Sequence, residues 1–203
     1  MPDAPGLELI LAEINRPHPG AVFDTSFDRD QPALIVDPGQ ILAVLTWLRD
    51  TPGQEYGFLS SVHGVDYLPA QPRFAVHYEL VNRERNERLR VKALLEDPAV
   101  VGDSAGTPTG AAEPAPGPAA STGIPAAELL PHLDSCVEIF PTAEFQEREV
   151  YDFFGIVFDG HPDMRRILMP EDYVGWPQRR DFPIGGEPVI FTRDEAANPG
   201  WWE

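Results

Sequence analysis

The chain has 203 residues, 42% of them hydrophobic, and a formal charge of −18. That length and composition allow a buried core and exclude wholesale disorder, while the charge argues against nucleic acid or anionic lipid as direct partners, since both attract basic surface. The longest apolar run, residues 41–48 interrupted by Thr46, falls far short of the roughly 20 residues of a membrane-spanning helix, and the acidic start MPDAPG reads as neither a secretory signal nor a transit peptide, so none is expected.

Leu7, Ile10, Leu11 and Ile14 recur at helical spacing and predict a short amphipathic helix. Residues 33–36 form an apolar run that reads as a buried strand. Asp37-Pro38-Gly39-Gln40 is a helix start, with Asp37 as the cap, Pro38 at the first position and Gln40 reaching back as in a capping box. Behind it Ile41, Leu42, Val44, Leu45 and Leu48 share one face, and Thr51-Pro52-Gly53 stops the helix. Residues 56–62 read as a further strand. Phe74, Val76, Tyr78 and Leu80 then alternate with Ala75, His77, Glu79 and Val81. After a polar loop, Leu89, Val91, Ala93 and Leu95 alternate again. If the loop is Arg83 to Asn86, Leu80 faces Leu89, Tyr78 faces Val91, Val76 faces Ala93, and Glu79 meets Arg90 on the other face.

Residues 99–125 are rich in Ala, Pro, Gly, Ser and Thr and contain no aromatic residue, the composition of an insertion outside the core. Residues 126–133 predict a short helix; Val137 to Phe140 fit either strand or helix. Thr142 reads as the N-cap of a helix over 143–154 that stops at Gly155. Beyond Phe158 the chain is dense in Pro, Gly and charge and reads as an extended tail that needs a surface to lie on, its own domain or another chain. The expectation is an α+β fold: a small mixed or antiparallel sheet packed on helices. Residues 1–98 form its first part, 99–125 the insertion, 126–158 the helical remainder of the core, and 159–203 a tail docked on partners.

Cys136 is the only cysteine, so the chain can neither close an internal disulfide nor hold an iron–sulfur cluster. Of 15 basic residues only Lys92 is a lysine, a bias that suits bidentate ion pairs with carboxylates. Glu147 and Glu149 cannot share one acid–base site, because residues two apart on a helix point away from each other. Arg148 is expected to pair with Glu144 and Asp152 at i,i+4 spacing. Glu147 lies in the apolar face of Ala143, Val150 and Phe154, where a carboxylate calls for a buried arginine. His161 with Asp163 could begin a metal site, but no second His or Cys lies at ligand spacing, so a structural histidine is expected. Arg165, Arg166, Arg179 and Arg180 interleave with Asp159, Asp163, Glu171, Asp172 and Asp181, a mixed pattern suited to protein docking rather than phosphate capture. No nucleotide, flavin or nucleophile motif is present.

Glu147-Arg148-Glu149, Asp152 and Phe153-Phe154, then His161, Arg165 and Ile167-Leu168, together resemble the signature of the 30-kDa subunit family of respiratory complex I. The similarity continues through Pro170-Glu171-Asp172, Gly175, Pro177, Arg179 and Asp181-Phe182-Pro183. Upstream it takes in Gly64-Val65-Asp66-Tyr67 and the hairpin. There are departures: Ala143-Glu144-Phe145 stands where the family has Ala-Asn-Trp, and Gly175-Trp176-Pro177-Gln178 where it has Gly-His-Pro-Leu. The resemblance also makes residues 135–140 helical.

It implies a peripheral-arm subunit that binds no cofactor itself, in a complex passing electrons from NADH through FMN and iron–sulfur clusters to quinone with proton translocation. The implied partners are the 49-kDa-type quinone-site subunit and neighbouring iron–sulfur subunits, at the cytoplasmic side of a bacterial membrane. No catalytic or metal residue is expected. The expected interface residues are Glu147, Arg148, Glu149, Asp152, His161, Asp163, Arg165, Arg166, Arg179, Arg180 and Asp181. The same signature fits a membrane-bound hydrogenase or ferredoxin-fed complex. The readings from other classes are a stand-alone hydrolase using Glu147 and His161, and a binding adaptor.

Overall fold

A computed structural model describes residues 2–98 and 130–182. The expected insertion and the end of the tail, 183–203, lie outside the described residues.

Asp3 opens the first helix, α1 (Ala4–Ile14), by accepting from the Gly6 N–H at 2.9 Å. Leu7, Ile10 and Ile14 face the core as their spacing requires. Asn15 just beyond it accepts from the Val22 N–H and donates to the Val22 carbonyl. It thereby fixes the start of a strand that sequence periodicity does not announce, β1 (Val22–Asp28). A two-residue turn returns the chain into β2 (Gln31–Val36), with Arg29 and Asp30 both at positive φ, the turn geometry that matches strand twist in hairpins.

Asp37 caps as expected, accepting from Gly39 N–H at 3.1 Å, but it caps a single 3-10 turn, Pro38–Gln40. The Gln40 amide donates to Pro19 O, so no capping box forms. From that turn runs α2 (Ile41–Asp50), burying Ile41, Val44, Leu45 and Leu48 and ending at Thr51.

Three antiparallel strands follow: β3 (Phe58–Asp66), β4 (Phe74–Asn82) and β5 (Glu87–Leu95). The hairpin has the expected register, with Leu80 opposite Leu89, Tyr78 opposite Val91, Val76 opposite Ala93 and Glu79 opposite Arg90. Arg90 donates to Glu79 across the strands. The sheet order is β1-β2-β5-β4-β3, and β5 is parallel to β2. The sheet is therefore mixed, and with the helices it makes the α+β fold expected.

Where the sequence favours a helix over 126–133, the described part is a strand, β6 (His132–Asp134). It runs parallel to β7 (Val157–Asp159). Residues 137–139 are neither strand nor helix but a turn, closed by Ile139 and Phe140 N–H groups donating to Cys136 O. Between β6 and β7 lies α3 (Ala143–Phe154), with the bounds its sequence indicates. Thr142 occupies the N-cap position without capping; its hydroxyl donates to Leu59 O instead. Gln146 accepts from Val62 N–H, so two side chains tie α3 to β3. The close approach needs Gly64, where a Cβ would come 2.6 Å from the Phe154 ring. Leu34, Val36, Val76, Tyr78, Leu89 and Val91 from the sheet join the apolar sides of all three helices in one core.

Candidate functional site

Helix α3 carries the acidic signature, and residues 160–182, here termed the strap, return across its end. The sequence suggests an extended tail laid on its own domain or on partner proteins. As far as Phe182 the strap lies on its own domain, because its arginines and backbone amides find acceptors there.

Asp152 is fully buried on α3. Its Oδ2 accepts from the N–H groups of Ile167 (3.0 Å), Leu168 (2.7 Å) and Met169 (2.8 Å), and its Oδ1 accepts from Arg166 Nη1 at 2.8 Å. Burial alone would push this carboxyl up. The backbone donors at Met169 and Leu168, then Arg166, outweigh it and hold Asp152 below the ordinary carboxylate range. Arg166 also donates to Asp152 O and Gly175 O and lies 4.5 Å over the Trp176 ring. Trp176 in turn covers Gly155, whose φ of +68° ends the helix; a Cβ there would sit 2.5 Å from the indole.

The last part of the strap meets a second buried cluster. Arg73 donates to Asp66 and to Asp97 at 2.8 Å, and pairs with Asp181 at 2.6 Å. Arg180 N–H donates to Asp66 Oδ2 at 2.9 Å, and its guanidinium to Leu68 O. Arg179 donates to Phe154 O and is sandwiched between the rings of Phe74 (4.8 Å) and Trp176 (5.9 Å). Burial and the neighbouring Arg73 charge lower the Arg179 pKa. Burial pushes Asp66 up, but Arg73 and the Arg180 and Leu68 amides bring it below its ordinary value. Asp66, Arg73 and Asp97 are not among the site residues expected from the sequence. The available signal was a charged residue at each strand end, Asp66 closing β3 and Arg73 just before β4.

Glu147 corrects the expectation of a buried arginine. It is fully buried, yet its partners are the Ser135 hydroxyl at 2.6 Å and the Cys136 N–H at 2.8 Å. Burial raises its pKa, against the pull of those two donors. Glu147 therefore pins the turn that follows β6 to α3, and neither it nor Asp152 is placed to form an ion pair with another chain. Arg148 takes neither of its expected helix partners. It donates to the carbonyls of Arg165 and Arg166 at 3.1 Å and lies 3.9 Å from Asp163.

His161 links the strap to α3 through both ring nitrogens. A backbone N–H can only donate, so Nδ1 accepts from Asp163 N, and Nε2 carries the proton given to Glu144 O at 2.9 Å. Among the described residues no group of three His, Cys, Asp or Glu is placed to hold a metal ion.

Of the expected interface residues, Glu149, Arg165, Arg180 and Asp181 keep exposed side chains, and Asp163 is partly exposed. Arg166 and Arg179 are half-buried and committed to this chain. The outward side of α3 and the strap also presents Phe145 (60% exposed), Leu168 (60%) and Val174 (47%). Among the described residues, open cavities near Trp47, Ser61 and Arg83 are lined by no residue from 147–182. The arrangement is one of buried anchors beneath a mixed apolar and charged surface, suited to binding a protein.

The comparisons with known proteins agree with this geometry. The family model described as "Respiratory-chain NADH dehydrogenase, 30 Kd subunit" matches residues 34–108 and 120–188. Three relatives, each named as a subunit of NADH-quinone oxidoreductase, are similar along most of the chain. The Saccharopolyspora erythraea protein is 37% identical over 97% of this chain and 66% of its own length. That of Herpetosiphon aurantiacus is 40% identical over 80% and 77%, and that of Roseiflexus castenholzii 36% over 90% and 87%. A chain from the archaeal membrane-bound sulfane sulfur reductase, a respiratory membrane complex, shares the fold. Its TM-score is 0.58 at 21% identity, covering 87% of this chain and 85% of that one.

Proposed function

The chain belongs to the 30 Kd subunit family of respiratory-chain NADH dehydrogenase, and from that premise we propose that it serves as the 30-kDa subunit of an NADH-quinone oxidoreductase, holding the quinone-site module together without chemistry of its own. The complex would carry electrons from NADH through FMN and iron–sulfur clusters to quinone with proton translocation, those cofactors residing on other chains. The partners would be the 49-kDa-type subunit and adjacent iron–sulfur subunits. No helix among the described residues is long and apolar enough to cross a membrane, so attachment would run through those partners.

One observation carries the reading. The two buried acids of the signature are spent inside the chain: Asp152 gathers three strap amides and Arg166, and Glu147 holds Ser135 and Cys136. A hydrolytic site would instead leave a carboxyl facing a cleft, free to move a proton. What is left exposed, Phe145, Glu149, Arg165, Leu168, Arg180 and Asp181, is apolar and mixed in charge, the composition of an interface that must exclude wrong partners.

Deleting the gene and complementing it tests this. Membranes without the chain should lose NADH-driven quinone reduction together with the assembled complex. A Glu147→Gln copy should restore both. Turnover by the purified chain alone, abolished by Glu147→Gln, would overturn the proposal.

A further inference from the structure

The helices bury one face of the sheet; the other carries a row of nitrogen-bearing side chains in strict register. Ile35 lies opposite Lys92, Lys92 opposite His77, and His77 opposite His63. The two imidazoles meet edge to face, 5.2 Å between centroids, and Tyr67 Oη is 3.1 Å from His77 Nε2. Arg88 and Arg90 continue along β5 on the same side, four and two residues before Lys92. Between Ser61, His63, Glu79, Arg88 and Arg90 the face dips into a cavity of about 330 Å³.

Lys92, the chain's single lysine, is the unusual member. It is half-buried, yet among the described residues its one hydrogen bond is a long contact of 3.4 Å to Ser26 Oγ. Among the described residues no carboxylate comes within ion-pair distance of it. Glu79 is committed to Arg90, and Asp28 acts on Lys92 only through space. Burial and the neighbouring positive charges lower the pKa of Lys92 and of His63, and push His77 down to about 3. Lys92, with Arg88 and Arg90 on its own strand and no described carboxylate in contact with its amine, is a cation on a half-dry surface that favours an incoming anion, while His77, held uncharged, still offers a ring N–H.

We propose that this row docks an Asp- or Glu-bearing segment of an otherwise neutral or basic protein partner, laid across the sheet with a carboxylate against Lys92. Ile35, Val65, Val81 and Leu94, all half-buried around the row, supply apolar contact on either side. A nucleic acid or anionic membrane would meet the whole −18 field, whereas a short acidic segment meets only the charge within about 8 Å. The docking goes beyond the attachment proposed above and uses residues outside the signature; its partner rests on that reading only in belonging to the same assembly.

The single lysine makes the test clean. The protein is extracted from native membranes in whatever assembly it occupies and treated with a water-soluble carbodiimide. This activates a carboxylate, which the Lys92 amine attacks to form an amide, releasing a urea. A peptide joining Lys92 to an Asp or Glu of another protein is the expected product. Acetylation of Lys92 should also run at least about tenfold slower in the assembly than in the purified chain. Lys92→Glu, with a melting temperature like that of Lys92→Met to certify folding, should lower retention in the assembly about tenfold or more. An intact assembly in which Lys92 is acetylated as fast as in the purified chain overturns the docking alone. So does a link confined to this chain or a second copy, or full retention of Lys92→Glu. A free monomer in the extract would overturn both this docking and the reading above.

Discussion

Replacing Asp152 with Ala removes the acceptor on which the strap converges. Three backbone amides, 167 to 169, and the Arg166 guanidinium lose their partner at once. A hydrogen bond to a charged group contributes about 1.5–3 kcal/mol net, but four bonds sharing one carboxylate are not additive. The firmer figure is the cost of leaving one member of a buried ion pair unpaired, about 3–5 kcal/mol. That is a large part of a typical domain's roughly 5–15 kcal/mol, and it falls on the strap. Hydrogen exchange should show amides 167–169 losing about two to four orders of magnitude of protection. Amides of the β4–β5 hairpin, which never touch Asp152, should keep theirs. Loss of protection spread evenly through the sheet, or none at 167–169, would refute the argument that Asp152 is the local anchor.

Three further outcomes follow from the same contacts. Glu147→Ala should cost about 2–4 kcal/mol by chemical denaturation, since it leaves Ser135 and Cys136 unsatisfied above a cavity, whereas Glu147→Gln should stay within about 1 kcal/mol. Because the folded pKa of Glu147 is raised, the native state holds its proton longer than the unfolded chain. Stability should fall as pH climbs from the unfolded toward the folded value, and Glu147→Gln should remove that slope. Arg73→Leu should cost about 3–5 kcal/mol by removing the buried guanidinium that pairs with Asp66 and Asp97. In the native protein the depressed Asp66 pKa gives stability above the unfolded value that is lost as acid reaches the folded one; in the variant, acidification should instead stabilise. Gly155→Ala should lower the melting temperature more than Gly53→Ala, because Trp176 fills the space at Gly155 while nothing lies near Gly53.

The hairpin was legible because two constraints had one solution. Apolar alternation set the faces, and the Glu79–Arg90 pair set the same register from the other side. The α3 bounds were legible for a similar reason, with Gly155 marking the end by a conformation that glycine favours. Strand β1 escapes the sequence because Phe23 and Phe27 are exposed, so its apolar residues do not alternate inward, and its turn is Arg29-Asp30 rather than a glycine pair. The partners of Glu147 escape it because one is a backbone N–H, which every residue but proline has. The strap is hidden for the same reason. Arg148, Arg166, Arg179 and Arg180 all donate to carbonyls of their own chain, and a carbonyl leaves no mark in the sequence. Charge pattern shows that this segment docks; it does not show that the first surface it docks on is its own domain.

Affinity capture from gently solubilised membranes tests the central claim most directly, with the captured chains identified by mass spectrometry. The account predicts recovery of the 49-kDa-type quinone-site subunit and its iron–sulfur neighbours in equal amounts with this chain. Capture of the chain alone, at the size of a monomer, would contradict it.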